Sequence, residues 1–319
     1  MRILIANNLP IPALKYGGTE RVIWWLGKEL ASRGHRITYL VPSGSSCPFA
    51  EVLPFDPSLP LSKQIPEYID VVHSNFPIDG EMTKPYLITM HGYITKGATF
   101  DRNTLFVSKR HAELHHAKAF VYNGLDPDEY GTFDAGSSRS SLLFLAAIDR
   151  IEKNLSGAIR IAKKARQKLE IIGGSKFALS RSIRYHGMIG GVEKNNVLRG
   201  ISALLFPVTW DEPFGLALIE SLYHGCPVIG TPYGSLPEII MKDVGVLSDS
   251  MQELVAAARD HSQFNRTTCH DYVMTYFTSV HMTDHYLKLY EKVLAGEKLN
   301  NSDPYFTAES FKDRLPIFE

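Results

Sequence analysis

Cysteine is scarce in this sequence of 319 residues: Cys47, Cys226 and Cys269 are far apart and form no Cys-x-x-Cys pair. An odd number of widely spaced cysteines argues against a disulfide framework and favours a reducing compartment. The chain also lacks a net charge, because 34 Lys and Arg residues balance 34 Asp and Glu residues. No overall field attracts polyanions, so we predict that nucleic acid is not a partner.

Long apolar runs are absent as well. The N-terminus offers only ILIA after one arginine, which is too short for a signal-peptide core. The longest apolar runs, such as SLLFLAAI from Ser141, have the length of a strand and cannot span a bilayer. We therefore expect a cytoplasmic protein with at most peripheral contact at the inner face of a membrane.

What the sequence does contain is an alternation of strand-like and helix-like segments. RILIAN and RITYLV are predicted strands, and four apolar residues recur at helical spacing between them: Val22, Ile23, Leu26 and Leu30. Residues 123–138 lack periodicity and are rich in Gly, Asp and Ser, which is typical of a linker. The alternation restarts after them. This pattern predicts two α/β domains with parallel, doubly wound sheets, over residues 1–122 and 139–279.

The segment TWDEPFGLALIESLYHG follows a predicted strand, ALLFPV, and contains a predicted helix that starts at about Phe214–Gly215. Pro213 precedes the helix, where a missing N–H group has no cost. The first amides of the helix, at Phe214, Gly215 and Leu216, should form an anion site with the helix dipole. Gly215 would let a phosphate approach without an intervening side chain.

Two acids, Glu212 and Glu220, flank this predicted anion site. We interpret Glu212 as an acceptor for hydroxyl groups on whatever the phosphate carries, and Glu220 as an acceptor for ribose hydroxyls. The alternative is an ordinary acid before a helix and a second acid on its surface. Further on, Ser235 and Glu238 have the spacing of a capping box that would open another helix.

These segments resemble a known family. DEPFGLALIE, HGCPVIGT and GSLPEII are similar to motifs of retaining GT-B glycosyltransferases of family 4, the glycosyl transferases group 1. The segments YGGTERVIWWLGKELASRGHRITYLV, ITMHGY and VYNGLDPDEY extend the resemblance, which covers most of residues 1–295. It implies a GT-B fold, with two Rossmann-like doubly wound domains facing across a cleft. It also implies that helices from about 280–296 return to the first domain, while the tail, 297–319, is unassigned.

The resemblance assigns roles to particular residues. Glu212 would act on the donor sugar as a catalytic residue, and His91 in ITMHGY would contact the transferred sugar. The glycines of the first loop, Gly17 and Gly18, would lie against the donor diphosphate. Glu220 would bind the nucleotide ribose, and the intervening amides would bind the diphosphate.

The cations of the site depart from the family pattern. Lys153 occupies the position of the phosphate-binding lysine, but Ala147 and Ile148 stand where the family usually has an arginine. Either Arg150 replaces that arginine through a shifted loop, or the site has one cation fewer.

The function that the resemblance implies is retaining transfer of a sugar from a nucleoside diphosphate sugar, in glycan or polysaccharide biosynthesis. The acceptor is open: a glycan, a lipid-linked glycan or a small molecule. No metal or other cofactor is implied. The Asp-x-Asp spacing of Asp126 and Asp128 falls in the linker, and His111 and His115 lack a third convergent ligand. Two alternatives remain: a nucleotide-sugar-binding protein with a degenerate site, and a GT-B sugar-nucleotide epimerase.

Overall fold

The computed structural model describes residues 1–13, 17–93, 97–176, 180–307 and 316–318. The strands are β1 Arg2–Ala6, β2 Arg36–Val41, β3 Glu51–Pro54, β4 Val71–Ser74, β5 Tyr86–Met90, β6 Thr104–Phe106, β7 Ser141–Leu145, β8 Lys168–Ile172, β9 Ile183–Tyr185, β10 Ile201–Phe206, β11 Val228–Gly230 and β12 Gly245–Leu247. The helices are α1 Gly18–Ser32, α2 Lys109–Leu114, α3 Leu155–Ala165, α4 Gly191–Arg199, α5 Leu216–Tyr223, α6 Leu236–Ile239, α7 Met251–Arg259, α8 Arg266–Tyr276 and α9 Ser279–Leu294.

The strands form two parallel six-stranded sheets with the same topology. The first has the order β3-β2-β1-β4-β5-β6, and the second has the order β12-β11-β10-β7-β8-β9. Numbered within its own half, each sheet has the doubly wound order 3-2-1-4-5-6 or its reverse, which is that of a Rossmann domain. The predicted pair of doubly wound α/β domains is therefore confirmed.

The chain divides into two compact units. The first contains residues 1–13, 17–124 and the described residues from Ser279 to Thr307, and the second contains Leu125–Thr278 together with residues 316–318. Helix α9 thus belongs to the first unit although it follows the second in sequence. In the second unit Tyr130, within the predicted linker, is buried, and Phe133 stacks on His270 at 4.2 Å between ring centroids.

Helix α9 is attached to the first sheet by buried polar contacts. His73 of β4 lies 2.8 Å from the hydroxyl of Tyr290 through Nδ1 and 2.8 Å from the hydroxyl of Thr89 through Nε2. The Thr89 hydroxyl in turn lies 3.0 Å from that of Tyr286. Because every one of these side chains is buried, an unmade contact here would leave a polar group unsatisfied, and the network fixes the helix on the sheet.

The tail beyond α9, unassigned from sequence, contributes to both units. In the first unit its segment around Phe306 pairs antiparallel with the chain near Thr99, and the amide of Phe306 donates to the carbonyl of Ala98 at 3.0 Å. The Phe306 ring stacks on His115 at 4.8 Å. In the second unit, Phe318 forms a parallel bridge with Ser250. Apolar burial and backbone pairing hold the tail at Phe306, and backbone pairing holds it at Phe318.

Three edge strands have the weakest signal in the sequence. β3, β9 and β12 each close one end of a sheet. A strand with a neighbour on one side only needs no continuous apolar run, so its sequence carries a weak signal. Residues 119–124, AFVYNG, also begin with an apolar run, but they form no strand beyond a single bridge at Phe120.

Candidate active site

The second sheet brings two of the predicted residues together at its topological switch point. β7 and β10 are neighbours in the sheet, and their chains leave it in opposite directions. In open parallel sheets, ligands bind beside the carboxyl ends of the strands at such a point. Lys153 follows β7 and Glu212 follows β10. Their side chains form an ion pair, with Lys153 Nζ 2.6 Å from Glu212 Oε2.

Glu212 has a second partner that the sequence analysis missed. The indole Nε1–H of Trp210 donates to the same oxygen, Glu212 Oε2, at 2.7 Å. The Glu212 side chain is only 7% exposed, so its carboxylate depends on these donors rather than on water. The Lys153 ammonium also lies over the Trp210 ring, 4.8 Å from its centroid.

The backbone around Glu212 is held by the turn at Gly234. The amide of Ser235 donates to the carbonyl of Glu212 at 2.9 Å. Gly234 has φ +65°, and a Cβ atom there would lie 2.1 Å from the Glu212 nitrogen, so only glycine fits this close approach. The predicted capping box is wrong, because the Ser235 hydroxyl donates to the carbonyl of Phe214 at 2.8 Å and makes no cap contact with α6.

Helix α5 begins at Leu216, one or two residues later than predicted. Gly215 is its N-cap residue and has φ +81°, a left-handed conformation that favours glycine. Phe214 precedes the helix, and its side chain is buried near Phe277, with 6.2 Å between ring centroids. The predicted amide site thus coincides with the positive end of the helix dipole at Gly215 and Leu216.

Glu220 lies within α5 and is buried, whereas a surface acid would be exposed. It forms an ion pair with Lys194 of α4, and its Oε1 accepts a hydrogen bond from the hydroxyl of Tyr130 at 2.6 Å. The Lys194 ammonium also lies 5.4 Å from the centroid of the Tyr130 ring. Neither Lys194 nor Tyr130 was predicted, because they are 26 and 90 residues away from Glu220 in sequence.

Arg150, the proposed substitute for the missing arginine, is positioned differently from Lys153. Its side chain is 55% exposed and pairs with Glu152. Its guanidinium lies 5.9 Å from the centroid of the Trp210 ring, whereas the Lys153 ammonium lies 4.8 Å from the same centroid. The contact that links Arg150 to the site is therefore the one with the Trp210 ring, and its ion pair is with Glu152 instead of Glu212.

The predicted residues of the first unit also lie at strand ends. His91 follows β5 and Asn75 follows β4, its neighbour in the sheet. His91 Nε2 lies 2.8 Å from Asn75 Oδ1, while the amide nitrogen of Asn75 donates to the carbonyl of Ala6 at 3.0 Å. The Asn75 orientation therefore assigns the ring proton to Nε2. Burial lowers the pKa of His91 to about 4, so the imidazole is neutral at pH 7.

The two glycines of the first loop lie at the start of α1. Gly17 is the N-cap residue, and Gly18 is the first residue of the helix. Gly17 has φ +147°, and a Cβ atom there would lie 2.9 Å from that of Ala13. Local geometry thus requires glycine at 17, whatever binds nearby.

The described residues contain no group of three His, Cys, Asp or Glu side chains that could hold a metal ion. The Asp126 carboxylate accepts from the amide of Asp128 at 3.1 Å, which is a turn contact. His111 and His115 are buried in an aromatic cluster with Tyr93. Within the described part of the chain, no helix has the length and apolar character needed to cross a membrane.

Part of the chain is similar to a known protein family. Residues 137–263 match the family model described as Glycosyl transferases group 1. Over 165 residues the chain is 25% identical to an uncharacterized 41.2 kDa protein in the cps region of Klebsiella pneumoniae, a match that covers 47% of this chain. The aligned region spans about half of that relative's length, 46%.

Several solved structures have the same fold. AviGT4, a glycosyltransferase involved in avilamycin A biosynthesis, is 19% identical with a TM-score of 0.77, over 94% of this chain and all of that one (100%). Sucrose-phosphate synthase from Thermosynechococcus elongatus is 16% identical with a TM-score of 0.71, over 93% and 100%. Alr3699/HepE from Anabaena, solved with UDP and glucose, is 14% identical with a TM-score of 0.65, over 90% and 98%. The predicted GT-B fold is confirmed, and the family match over residues 137–263 supports a transferase enzyme.

Proposed function

We propose that this chain, which carries a glycosyl transferases group 1 domain in its second unit, transfers a sugar with retention from a nucleoside diphosphate sugar to an acceptor. The observation that carries this proposal is the pairing of Glu212 with Lys153 at the switch point of the second sheet. Biosynthesis of a glycan or polysaccharide is the context, since the Klebsiella relative comes from a cps region.

The donor diphosphate would bind at the start of α5. The amides near Gly215 and the helix dipole favour an anion there, and the ammonium of Lys153 supplies a full positive charge. Glu220, inside the same helix, would accept hydrogen bonds from the ribose hydroxyls. HepE was solved with UDP and glucose, which makes a uridine nucleotide the first donor to test.

The transfer would proceed on one face of the sugar. The bond between the anomeric carbon and the phosphate oxygen breaks, the acceptor oxygen bonds to the same carbon, and the leaving phosphate oxygen takes the acceptor's proton. Lys153 and the α5 amides would stabilise the departing diphosphate. Removing one donor of this kind typically costs about 3–4 kcal/mol of barrier. Glu212 would act on the donor sugar, and this arrangement needs no metal.

The role proposed for His91 follows from its protonation state. A neutral imidazole with its proton on Nε2 presents Nδ1 as an acceptor for a sugar hydroxyl. His91→Ala should therefore lower turnover without weakening the binding of a nucleoside diphosphate that lacks the sugar. Gly17 and Gly18 are proposed to lie against the diphosphate, as the resemblance implies.

The experiment that tests the proposal is a thermal-shift titration against UDP, GDP, ADP, TDP and their sugars. A ligand at 100 times its dissociation constant should add about 2.7 kcal/mol of stability. Glu220→Gln should reduce the shift in melting temperature given by the nucleotides that contain ribose, which are UDP, GDP and ADP. The nucleotide sugar that shifts the melting temperature most is then incubated with candidate acceptors.

The outcomes separate the alternatives. Binding and transfer of the sugar support the proposal. Binding with no turnover favours the degenerate-site binding protein, and conversion of the nucleotide sugar without an acceptor favours the epimerase. If no nucleotide changes the melting temperature, the proposed donor class is wrong.

A further inference from the structure

Two donors of different kinds share one oxygen of Glu212. Lys153 Nζ and Trp210 Nε1 lie 2.6 and 2.7 Å from Glu212 Oε2. Lysine is a point charge on a flexible four-carbon stem, whereas the indole N–H belongs to a rigid ring with two rotatable bonds. The lysine can therefore change partners at a lower cost than the tryptophan can.

A bound diphosphate would compete for the lysine and not for the tryptophan. Lys153 is the cation proposed to receive the leaving phosphate, and its ammonium is now held by Glu212. The Trp210 ring lies beneath that ammonium. If the ammonium turned towards a phosphate, the indole N–H would still donate to the carboxylate.

Backbone contacts hold the main chain of Glu212, but they do not orient its carboxylate. Ser235 donates to the Glu212 carbonyl, and the turn at Gly234 lies against the Glu212 nitrogen. The side chain has further torsions beyond these contacts. The side-chain contacts described for the Glu212 carboxylate are those of Lys153 and Trp210.

We propose that Trp210 is a positioning residue, whose indole N–H holds the Glu212 carboxylate in its reactive orientation while Lys153 moves to the departing diphosphate. This inference rests on the proposed transferase function. The role assigned to Trp210 is exerted through Glu212.

The test compares Trp210→Phe with Trp24→Phe. Phenylalanine at 210 keeps an aromatic ring under Lys153 but has no N–H group. Trp24 is a half-buried tryptophan of the first unit, packed edge-on against Phe49, so its replacement controls for the general effect of this substitution. The probe is the nucleotide sugar that binds best in the thermal-shift panel, and turnover is followed as release of its nucleoside diphosphate.

We expect Trp210→Phe to lower kcat by about 10- to 100-fold, the usual range for a lost hydrogen bond to a charged group. The Kd of the matching nucleoside diphosphate should stay within about twofold of that of the unsubstituted protein, because its proposed ligands are intact. Trp24→Phe should change neither quantity. In a Glu212→Gln background, Trp210→Phe should have little further effect, since residues that act as a unit are not additive.

Three results would overturn the inference. Trp210→Phe could keep near-normal turnover, or lose nucleoside diphosphate binding together with turnover, or lower turnover as strongly in the Glu212→Gln background as without it. In each case Trp210 does not act through Glu212, while the transferase proposal stands. If the unsubstituted protein releases no nucleoside diphosphate from any sugar in the panel, the proposed function fails, and the inference fails with it.

Discussion

The two units share a strand order, but the polar groups near the carboxyl ends of their strands are charged in one unit and uncharged in the other. In the second unit two buried carboxylates, Glu212 and Glu220, are each paired with a lysine. In the first unit the corresponding edge carries a neutral contact between His91 and Asn75. One Rossmann sheet therefore presents balanced charges, and the other presents uncharged donors and acceptors.

This difference fits the two halves of the proposed reaction. A nucleoside diphosphate is an anion, and a buried site can hold it only where protein charges compensate its desolvation. Sugar hydroxyls are neutral, so imidazole and amide groups can bind them without that cost. Because the two units have the same fold, the charge of each site, and not the fold, indicates which ligand it would bind.

The largest effect should come from breaking the buried ion pair of Glu220. Lys194→Met removes the cation that faces the Glu220 carboxylate, in a site where both side chains are 7% exposed. We expect the free energy of unfolding to fall by about 3–5 kcal/mol. Chemical denaturation followed by circular dichroism measures it.

Two variants control this prediction. Lys163→Met, on the exposed face of α3, should leave the stability nearly unchanged. Adding Glu220→Leu to Lys194→Met should recover much of the lost stability, because a buried pair can be replaced by apolar side chains. It should not recover nucleotide binding. A loss below about 1 kcal/mol for Lys194→Met alone would mean that the pair behaves as a surface pair.

The second effect concerns Glu212 and catalysis. Glu212→Ala should lower turnover by about 100- to 1,000-fold, as expected for a group that stabilises charge in the transition state. The assay is release of nucleoside diphosphate from the best-binding nucleotide sugar. Glu253→Ala, at an exposed position of α7, is the matched control. Retention of near-normal turnover by Glu212→Ala would contradict the proposed role.

The third effect concerns the loss of stability of the first unit in acid. Burial lowers the pKa of His73 to about 3 and those of His91 and His115 to about 4, so these imidazoles of the first unit are neutral when folded. The unfolded chain binds their protons near pH 6.5, so its affinity for protons exceeds that of the folded state. The stabilising contribution is therefore complete above about pH 6.5 and is lost as the pH falls towards 4.

His115→Phe tests this proton uptake at one residue. Phenylalanine keeps a ring against Phe306 and Phe106 but cannot be protonated. The pH dependence of the unfolding free energy should become shallower by up to about 1.4 kcal/mol per pH unit between pH 6.5 and 4. Tryptophan fluorescence in a Trp210→Phe background reports on the first unit alone, because Trp24 and Trp25 both lie there. An unchanged slope would show that His115 is not buried as a neutral group.

The difference between the two units could be predicted from the sequence only in part. Periodicity identified the central strands, since buried parallel strands are continuous apolar runs. Proline and glycine marked the start of α5 between Glu212 and Glu220, and both acids are buried. The partners of Glu220 were not predicted, because Lys194 and Tyr130 contact it from distant segments and no local spacing encodes such contacts.

Trp210 was missed for a different reason. It is two residues from Glu212 and was visible in the sequence, but an apolar ring beside a strand end is usually read as packing. Its N–H contact depends on the turn between them. The position of the tail was not predicted either, because the packing of Phe306 on His115 joins two segments that are far apart in the sequence.

The smallest effect concerns Arg150 and decides how many cations the second unit offers. A side chain that is 55% exposed and already paired with Glu152 should contribute little to anion binding. Arg150→Ala should therefore weaken nucleoside diphosphate binding by less than about fivefold, while Lys153→Ala should weaken it by more. Glu152→Ala, which removes the competing carboxylate, should raise the affinity slightly. Equal losses for Arg150→Ala and Lys153→Ala would mean that Arg150 leaves Glu152 when the diphosphate binds and does replace the missing arginine. The balance of charges in the second unit would then change when the diphosphate binds.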